Sequence, residues 1–191
     1  MKIKLIAAAA LLGLGVGIAG AAQAAPVRFD NPDPISIDAS NVASYVEGGF
    51  SLSGQAADFL LLDDGFGNGF LVGGFLGAGP LTLRPASGGT FGLGSLDFGY
   101  FDLGDTPGEL AITGVLNGQA VAMQTLTLGA ATTAQFGSEW LGLSEVRFSA
   151  TSGFQLDNIS AVPEPGSAAL LAVGLGGLML SRRRQARPVR A

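Results

Sequence analysis

Short runs of alternating apolar and polar residues, separated by glycine, constrain the fold of this chain more than any other feature. Between residues 25 and 161 apolar side chains recur at every second position, which is the period of a strand with one buried face. The 31 glycines of the chain suit turns and bulges and disfavour helices. We therefore expect an all-β domain. The predicted strands are residues 50–53, 59–62, 70–75, 81–84, 91–98, 110–115, 121–128, 141–149 and 154–159.

One pair of these strands carries a turn signal. Asn117-Gly118 lies between runs 110–115 and 121–128, and both residues tolerate the positive φ angles of a type I′ hairpin. Many short strands without heptads or β-α alternation predict an antiparallel β-sandwich, of which a jelly roll is the favoured form. A solenoid is the competing architecture, since Gly-x-Gly spacing recurs at 65–69 and 92–94, although no fixed repeat period is present.

The N-terminal segment has the pattern of a secretory signal peptide. Lys2 and Lys4 precede an apolar stretch at 5–18, and Ala22 and Ala24 provide the small residues that a signal peptidase requires. An uncleaved membrane helix is the alternative. Residues 1–24 are therefore expected to be a signal helix that is removed on export.

The C-terminal segment combines a Val-Pro-Glu-Pro motif, an apolar run and a basic cluster. Prolines restrict φ and lack an N–H, so the folded domain is expected to end at this motif. The run at 166–180 has no charged residue and is about 22 Å long as a helix, shorter than a bilayer core of roughly 30 Å. A permanent transmembrane anchor is the alternative to a processed tail. The candidate sorting and processing residues are those of the motif and of the basic cluster: Val162, Pro163, Glu164, Pro165, Arg182, Arg183 and Arg184.

These three features, in this order, resemble the sorting signal of PEP-CTERM proteins, a tail also called the ice-binding-protein C-terminal domain. The resemblance covers residues 162–191 and is no evidence of ice binding. It implies retention in the inner membrane, processing near Pro163 to Pro165 by an exosortase-like membrane protease, and delivery to the cell envelope or extracellular matrix, often beside exopolysaccharide. The division of the chain would then be a signal peptide at 1–24, a β-sandwich at 25–161 and a sorting signal at 162–191.

Charge and residue usage exclude several function classes for the central domain. Residues 25–161 contain 14 acidic residues and three arginines, a formal charge of −11. Repulsion between this negative charge and phosphate groups makes nucleic acid and anionic lipid unfavourable partners. The chain has neither histidine nor cysteine, which excludes disulfides, Ser-His-Asp and Cys-His catalysis, and the usual zinc sites.

A second resemblance lies in the last predicted strand. Residues 154–159, together with the 91–97 run and the Asn117-Gly118 turn, look like parts of galactose-binding-like jelly rolls found in carbohydrate modules. The resemblance implies that Phe154, Leu156 and Ile159 are core residues. It also implies that Asp157 and Asn158 order the strand end or contribute to a structural calcium site.

Oxygen-bearing side chains also cluster on a glycine-rich segment. Asp63, Asp64 and Asn68 lie within seven residues that include three glycines, and such a loop can hold a hard cation such as calcium. The spacing does not match an EF-hand, and an ordinary acidic turn is the alternative. The candidate metal ligands are Asp63, Asp64, Asn68, Asp157 and Asn158.

Aromatic side chains supply the candidate ligand contacts. Trp140 is the single tryptophan, and it is either a core residue, which the following apolar series favours, or an exposed platform for a sugar ring. Tyr100 is a second candidate for the rim of a binding site.

Two function classes remain open. The first is a non-enzymatic envelope or matrix module that associates with polysaccharide or with surface proteins, for which we assign no catalytic residue. The second is a small carbohydrate-active hydrolase, which would use paired carboxylates such as Asp97 with Asp102 or Glu139 with Glu145.

Overall fold

Two antiparallel β-sheets form the folded part of the chain. The computed structural model describes residues 25–30, 35–74, 76–77, 79–102 and 104–163. One sheet has the strand order β1-β2-β3-β6-β11-β8-β9 and the other β10-β7-β12-β5-β4. The strands are β1 Ser36–Ile37, β2 Val42–Glu47, β3 Phe50–Gln55, β4 Phe59–Asp63, β5 Gly69–Gly73, β6 Leu81–Pro85, β7 Phe91–Tyr100, β8 Glu109–Leu116, β9 Gln119–Thr127, β10 Thr132–Gln135, β11 Glu145–Ala150 and β12 Phe154–Pro163.

Strands β5 to β12 have the connectivity of a jelly roll. The first pairs with the last, and each successive pair is nested inside it: β5 with β12, β6 with β11, β7 with β10, and β8 with β9. Alternate pairs fall in opposite sheets, so every connection within this unit except the β8–β9 turn crosses between the sheets. β4 extends the five-stranded sheet, and β1 to β3 extend the seven-stranded one. The prediction of an antiparallel β-sandwich is confirmed, and the solenoid is excluded for the described residues.

The β8–β9 hairpin forms where the turn signal predicts it. Asn117 and Gly118 have φ angles of 52° and 82°, as a type I′ turn requires. The register shifts between Gly114 and Val115, so that Val121 is the extra residue of a β-bulge in β9. Beyond the bulge the ladder is regular from Ala122 to Thr127.

The core lies between the sheets and is built from the inward-facing residues of both. Phe50 of β3 packs edge-on against Phe91 of β7 with ring centroids 5.3 Å apart, which joins the two layers. Phe154, Leu156 and Ile159 are at most 1% exposed, as expected for core positions. Burying side chains of this size contributes about 2 kcal/mol each. The alternation in the sequence therefore reports directly on which face of each strand is buried.

Three strands and one boundary differ from the sequence prediction. β1, β2 and β10 are not predicted, because only Ala43, Tyr45 and Ala134 among their residues are buried, which is too few to form a clear alternating pattern. The run predicted at 141–149 begins as a strand only at Glu145. Just before this run, Ser138–Trp140 forms a single-turn 3₁₀ segment, and Ala56–Asp58 forms another. The described part of the chain contains no α-helix.

The predicted terminal segments fall largely outside the described residues. These include the signal helix with Ala22 and Ala24, the motif residues Glu164 and Pro165, and the cluster Arg182, Arg183 and Arg184. β12 continues through Val162 to Pro163, so the last strand extends two residues past the expected domain boundary. Within the described ranges no helix is long and apolar enough to cross a membrane.

Candidate functional site

A cleft of about 450 Å³ lies across the outer face of the five-stranded sheet. It runs over four neighbouring strands and includes the loop between β4 and β5. Its sides are formed by β10 and by this loop, and its floor is formed by β7 and β12. The lining residues are Asp64, Asn68, Phe70, Asp97, Phe98, Ala131, Thr132, Thr133, Gln155 and Asp157.

Two carboxylates lie side by side on the floor of the cleft. Asp97 of β7 and Asp157 of β12 are cross-strand partners, and both point away from the core because Leu96 and Leu156 point into it. Asp97 is held by hydrogen bonds from the Thr133 hydroxyl at 2.5 Å and the Asn158 amide at 2.9 Å. The sheet thus fixes one carboxylate and places a second beside it.

A bulge in β12 positions these polar groups. The register shifts after Asp157, and Asn158 adopts a φ of 45°, a left-handed conformation that asparagine tolerates better than most residues. The main-chain N–H of Asn158 donates to Asp157 Oδ1 at 2.6 Å. The Asp-Asn pair therefore lies at a bulge inside β12 and not at its end, and the roles that the resemblance to carbohydrate modules implied for this pair stay predictions.

The pKa of Asp157 is raised to about 6. Burial is the largest cause, and the negative charges of Asp30 and Asp97 act in the same direction, whereas hydrogen bonds from the Asn158 N–H and the Asn68 side chain oppose the shift. The cleft is a place where negative charge is crowded and incompletely compensated.

The loop between β4 and β5 is held by its own aspartates. Asp63 Oδ1 accepts the Gly65 N–H at 2.6 Å, and Asp64 Oδ1 accepts the Phe66 N–H at 2.8 Å and the Asn68 N–H at 3.3 Å. These local bonds turn the chain so that Asn68, the residue before β5, hydrogen-bonds Asp157 of the neighbouring strand β12. The loop is an acidic turn of the kind that the sequence left open as the alternative to a cation site.

The five candidate metal ligands are divided between different parts of the structure. Asp64, Asn68 and Asp157 line the cleft, but Asp63 lines a separate cavity, and Asn158 is bonded to Asp97. Calcium requires six to eight converging oxygen ligands, and no three acidic side chains among the described residues are grouped to hold a metal. The assignment of these five residues as metal ligands therefore stays a prediction.

Neither of the two aromatic candidates lines the cleft. Trp140 is 1% exposed and packs edge-on against Phe136 at 4.8 Å, so it is a core residue, and its assignment as a ligand contact is corrected. Tyr100 is part-buried, and its hydroxyl donates to Asp105 Oδ1 at 2.7 Å. That bond is the main cause that raises the pKa of Tyr100, followed by burial and by the charges of Asp105 and Asp102.

The acidic residues considered for a hydrolase lie in different elements, and Glu139 is in the 3₁₀ segment Ser138–Trp140. Asp97 lines the cleft, whereas Asp102 lies in the following loop, where it accepts the Gly104 N–H at 2.9 Å. Glu145 lies in the other sheet, buried and ion-paired with Arg84 and Arg147. Burial disfavours its ionisation, but the hydrogen bonds and charges of the two arginines outweigh this effect and lower its pKa.

Sequence reasoning missed most of the cleft. Phe70, Thr133 and Gln155 are ordinary outward-facing strand residues, and Phe70 contacts Phe101 at a centroid distance of 6.1 Å. Thr133 lies in β10, which the sequence does not predict as a strand. Only the pairing of β10 with β7, of β7 with β12 and of β12 with β5 shows that these residues share one surface.

Two of the solved structures that match this chain overlap with it only weakly. The chain matches no known family profile and no curated protein. A structure described as "CBM4 structure and function" overlaps with a TM-score of 0.30 and 15% identity, over 56% of this chain and 78% of that chain. The CBM22-1–GH10 modules of the Clostridium thermocellum endo-1,4-beta-D-xylanase 10B, complexed with xylohexaose, overlap with a TM-score of 0.36 and 13% identity, over 73% of this chain but only 27% of that chain. The fold assignment rests on the strand connectivity of the chain itself.

Proposed function

We propose that this chain is an exported, non-catalytic module of the cell envelope or matrix that binds polysaccharide in the cleft of the five-stranded sheet. The observation that carries the proposal is the lining of the cleft. Carboxylates, amides and hydroxyls converge on one open surface from four strands and a loop. Sugar hydroxyls donate to carboxylates and to amide oxygens, and they accept from amide N–H and hydroxyl groups.

The charge of the cleft favours a neutral ligand. Asp64, Asp97 and Asp157 contribute negative charge, and no lysine or arginine is among the described residues that line it. Two of the three arginines of the domain, Arg84 and Arg147, are committed to Glu145 in the other sheet. A polymer that carries carboxylate or sulfate groups would be repelled, whereas neutral sugars find acceptors for their hydroxyls.

The experiment is a binding assay of the purified full chain against neutral and anionic polysaccharides. Gln155→Ala and Asp97→Ala each remove ligand hydrogen bonds worth about 1.4 kcal/mol, so each is expected to weaken binding of the neutral polymer about tenfold. Asp38→Asn is the matched control, because Asp38 caps the turn before β2, away from the cleft. Equal binding by all four proteins, or no binding to any neutral polymer, would exclude the cleft as a polysaccharide site.

The route to the envelope is the second part of the proposal. An exosortase-like membrane protease processes the tail after transient retention in the inner membrane. Support comes from the sequence pattern of residues 162–191 and from the position of Pro163, where β12 ends, so that the Pro-Glu-Pro motif follows the last strand directly. Mass spectrometry of the protein from the cell surface tests this: a mature C-terminus near Pro163 to Pro165 is expected. Recovery of surface protein that retains Arg182, Arg183 and Arg184 would count against processing.

One observation favours a glycoside hydrolase as a second candidate. Asp97 and Asp157 are cross-strand partners in the cleft, and the raised pKa of Asp157 suits a general acid. Both carboxylates rise from the same floor, whereas hydrolysis needs them on opposite sides of the scissile bond. Binding without cleavage is therefore the stronger candidate. Release of reducing sugar that is abolished by Asp157→Asn would reverse this order.

A further inference from the structure

The seven-stranded sheet ends in a long open edge. In the described part of the chain the sheets have four edge strands: β1 with two residues, β10 with four, β4 with five and β9 with nine. β9 pairs with β8 on one side, and no described strand pairs with its other side. An edge of this length presents unpaired N–H and C=O groups to any strand that can align with them.

β9 lacks most of the features that normally protect an edge. Lysine, proline and inward-pointing charges keep edge strands from pairing, and β9 contains none of them. Residues 110–138 carry no charge at all, in a domain whose formal charge is −11. The bulge at Val121 interrupts only one end and leaves Ala122 to Thr127 regular.

The backbone of this regular segment is oriented for pairing. The Leu128 N–H bonds the Gly108 carbonyl at 2.9 Å, so the even-numbered residues of β9 direct their backbone groups towards β8. The odd-numbered residues Met123, Thr125 and Thr127 therefore direct their N–H and C=O groups outwards. Their side chains are exposed, Met123 by 76%, and none is charged.

We propose that β9 pairs with β9 of a second copy of this chain, antiparallel, about a two-fold axis at Thr125. An antiparallel edge is complementary to itself under a two-fold rotation, so that Thr125 faces the other Thr125 and Met123 faces the other Thr127. The distribution of charge also favours contact through β9. Two copies of the domain at 25–161, each with a formal charge of −11, repel each other over most of their surface, and they approach at least cost along the charge-free segment. The pairing makes one continuous sheet of fourteen strands.

The absence of cysteine from the chain makes a register-specific test simple. In the paired strands the two Thr125 Cα atoms are about 5.5 Å apart, within the range of a disulfide. The two Met123 residues are offset by four positions, about 14 Å along the strand. Under mild oxidation the full-length Thr125→Cys variant should become mainly a disulfide-linked dimer, whereas Met123→Cys, whose side chain is also exposed, should form no disulfide crosslink. Equal crosslinking of both variants, or of neither, would overturn the proposal.

Light scattering of the unmodified full chain in mild nonionic detergent is the second measurement. The proposal expects a concentration-dependent dimer, and Thr125→Lys should weaken it at least tenfold, because two lysines then lie directly opposite each other. Ser149→Lys is the matched control, since Ser149 lies in the same row of the same sheet but in the inner strand β11. A dimer that withstands Thr125→Lys forms elsewhere and refutes the β9 pairing, as does a monomer at all concentrations.

Discussion

Replacing Asp157 by asparagine should stabilise the protein at neutral pH. The substitution keeps the shape of the side chain and an acceptor for the Asn158 N–H, and it removes one of the crowded negative charges in the cleft. The pKa of Asp157 rises from 3.8 to about 6, which corresponds to about 3 kcal/mol for a group shielded from water. Because Asp157 is half-buried and the cleft is open, solvent screening reduces this to about 1 kcal/mol.

The pH dependence of this effect identifies its cause. The folded state holds the Asp157 proton more tightly than the unfolded state, so the stabilisation from that proton is complete below pH 3.8 and is lost as the pH rises through about 6. Asparagine does not ionise, so the Asp157→Asn variant does not lose this stabilisation as the pH rises. The variant should therefore match the original protein near pH 4 and exceed it by about 1 kcal/mol above pH 7, a rise in melting temperature of about 4 °C.

Urea unfolding of both proteins at five pH values between 4 and 8 measures the difference. Asp38→Asn removes a charge of the same sign outside the cleft and separates the local effect from that of net charge. A difference between Asp157→Asn and the original protein that stays constant with pH, or a variant that is less stable at pH 7.5, would refute the reasoning on charge crowding.

Three further substitutions test other parts of the structure by thermal or urea unfolding. Glu145→Gln should cost about 1 kcal/mol above pH 5 and progressively less at lower pH, because a carboxylate with a lowered pKa stabilises the fold only where it is ionised; an equal cost at all pH values would contradict this. Gly118→Ala should cost about 1 kcal/mol, because a φ of 82° strains a residue that has a Cβ, and an unchanged melting temperature would exclude the turn geometry. Trp140→Ala should cost about 3–5 kcal/mol because it leaves a cavity beside Phe136, whereas a loss below 1 kcal/mol would place the ring at the surface.

The fold is predictable from the sequence wherever local chemistry decides it. Asn117-Gly118 specifies the β8–β9 hairpin because only certain residues accept its φ angles. The resemblance to carbohydrate modules implied that Phe154, Leu156 and Ile159 are core residues, and they are buried. β2 and β10 are missed because only Ala43, Tyr45 and Ala134 among their residues are buried, and so few inward residues are a weak signal.

The candidate site is less predictable because it depends on register. Asp97 and Asp157 each look like an isolated acidic residue, and only the pairing of β7 with β12 makes them neighbours. Trp140 is a related case, since its single-turn 3₁₀ segment directs the ring into the core. Long-range pairing is decided by the whole sheet rather than by any local pattern.

Amide chemical-shift mapping with a neutral oligosaccharide tests the central claim, the binding of polysaccharide in the cleft, most directly. On titration of the labelled full chain, the account predicts saturable shifts clustered at Asp97, Thr133 and Gln155 and none along β6 or β11 of the opposite sheet. Shifts spread over the seven-stranded sheet, or no shifts with any neutral oligosaccharide at millimolar concentration, would contradict it.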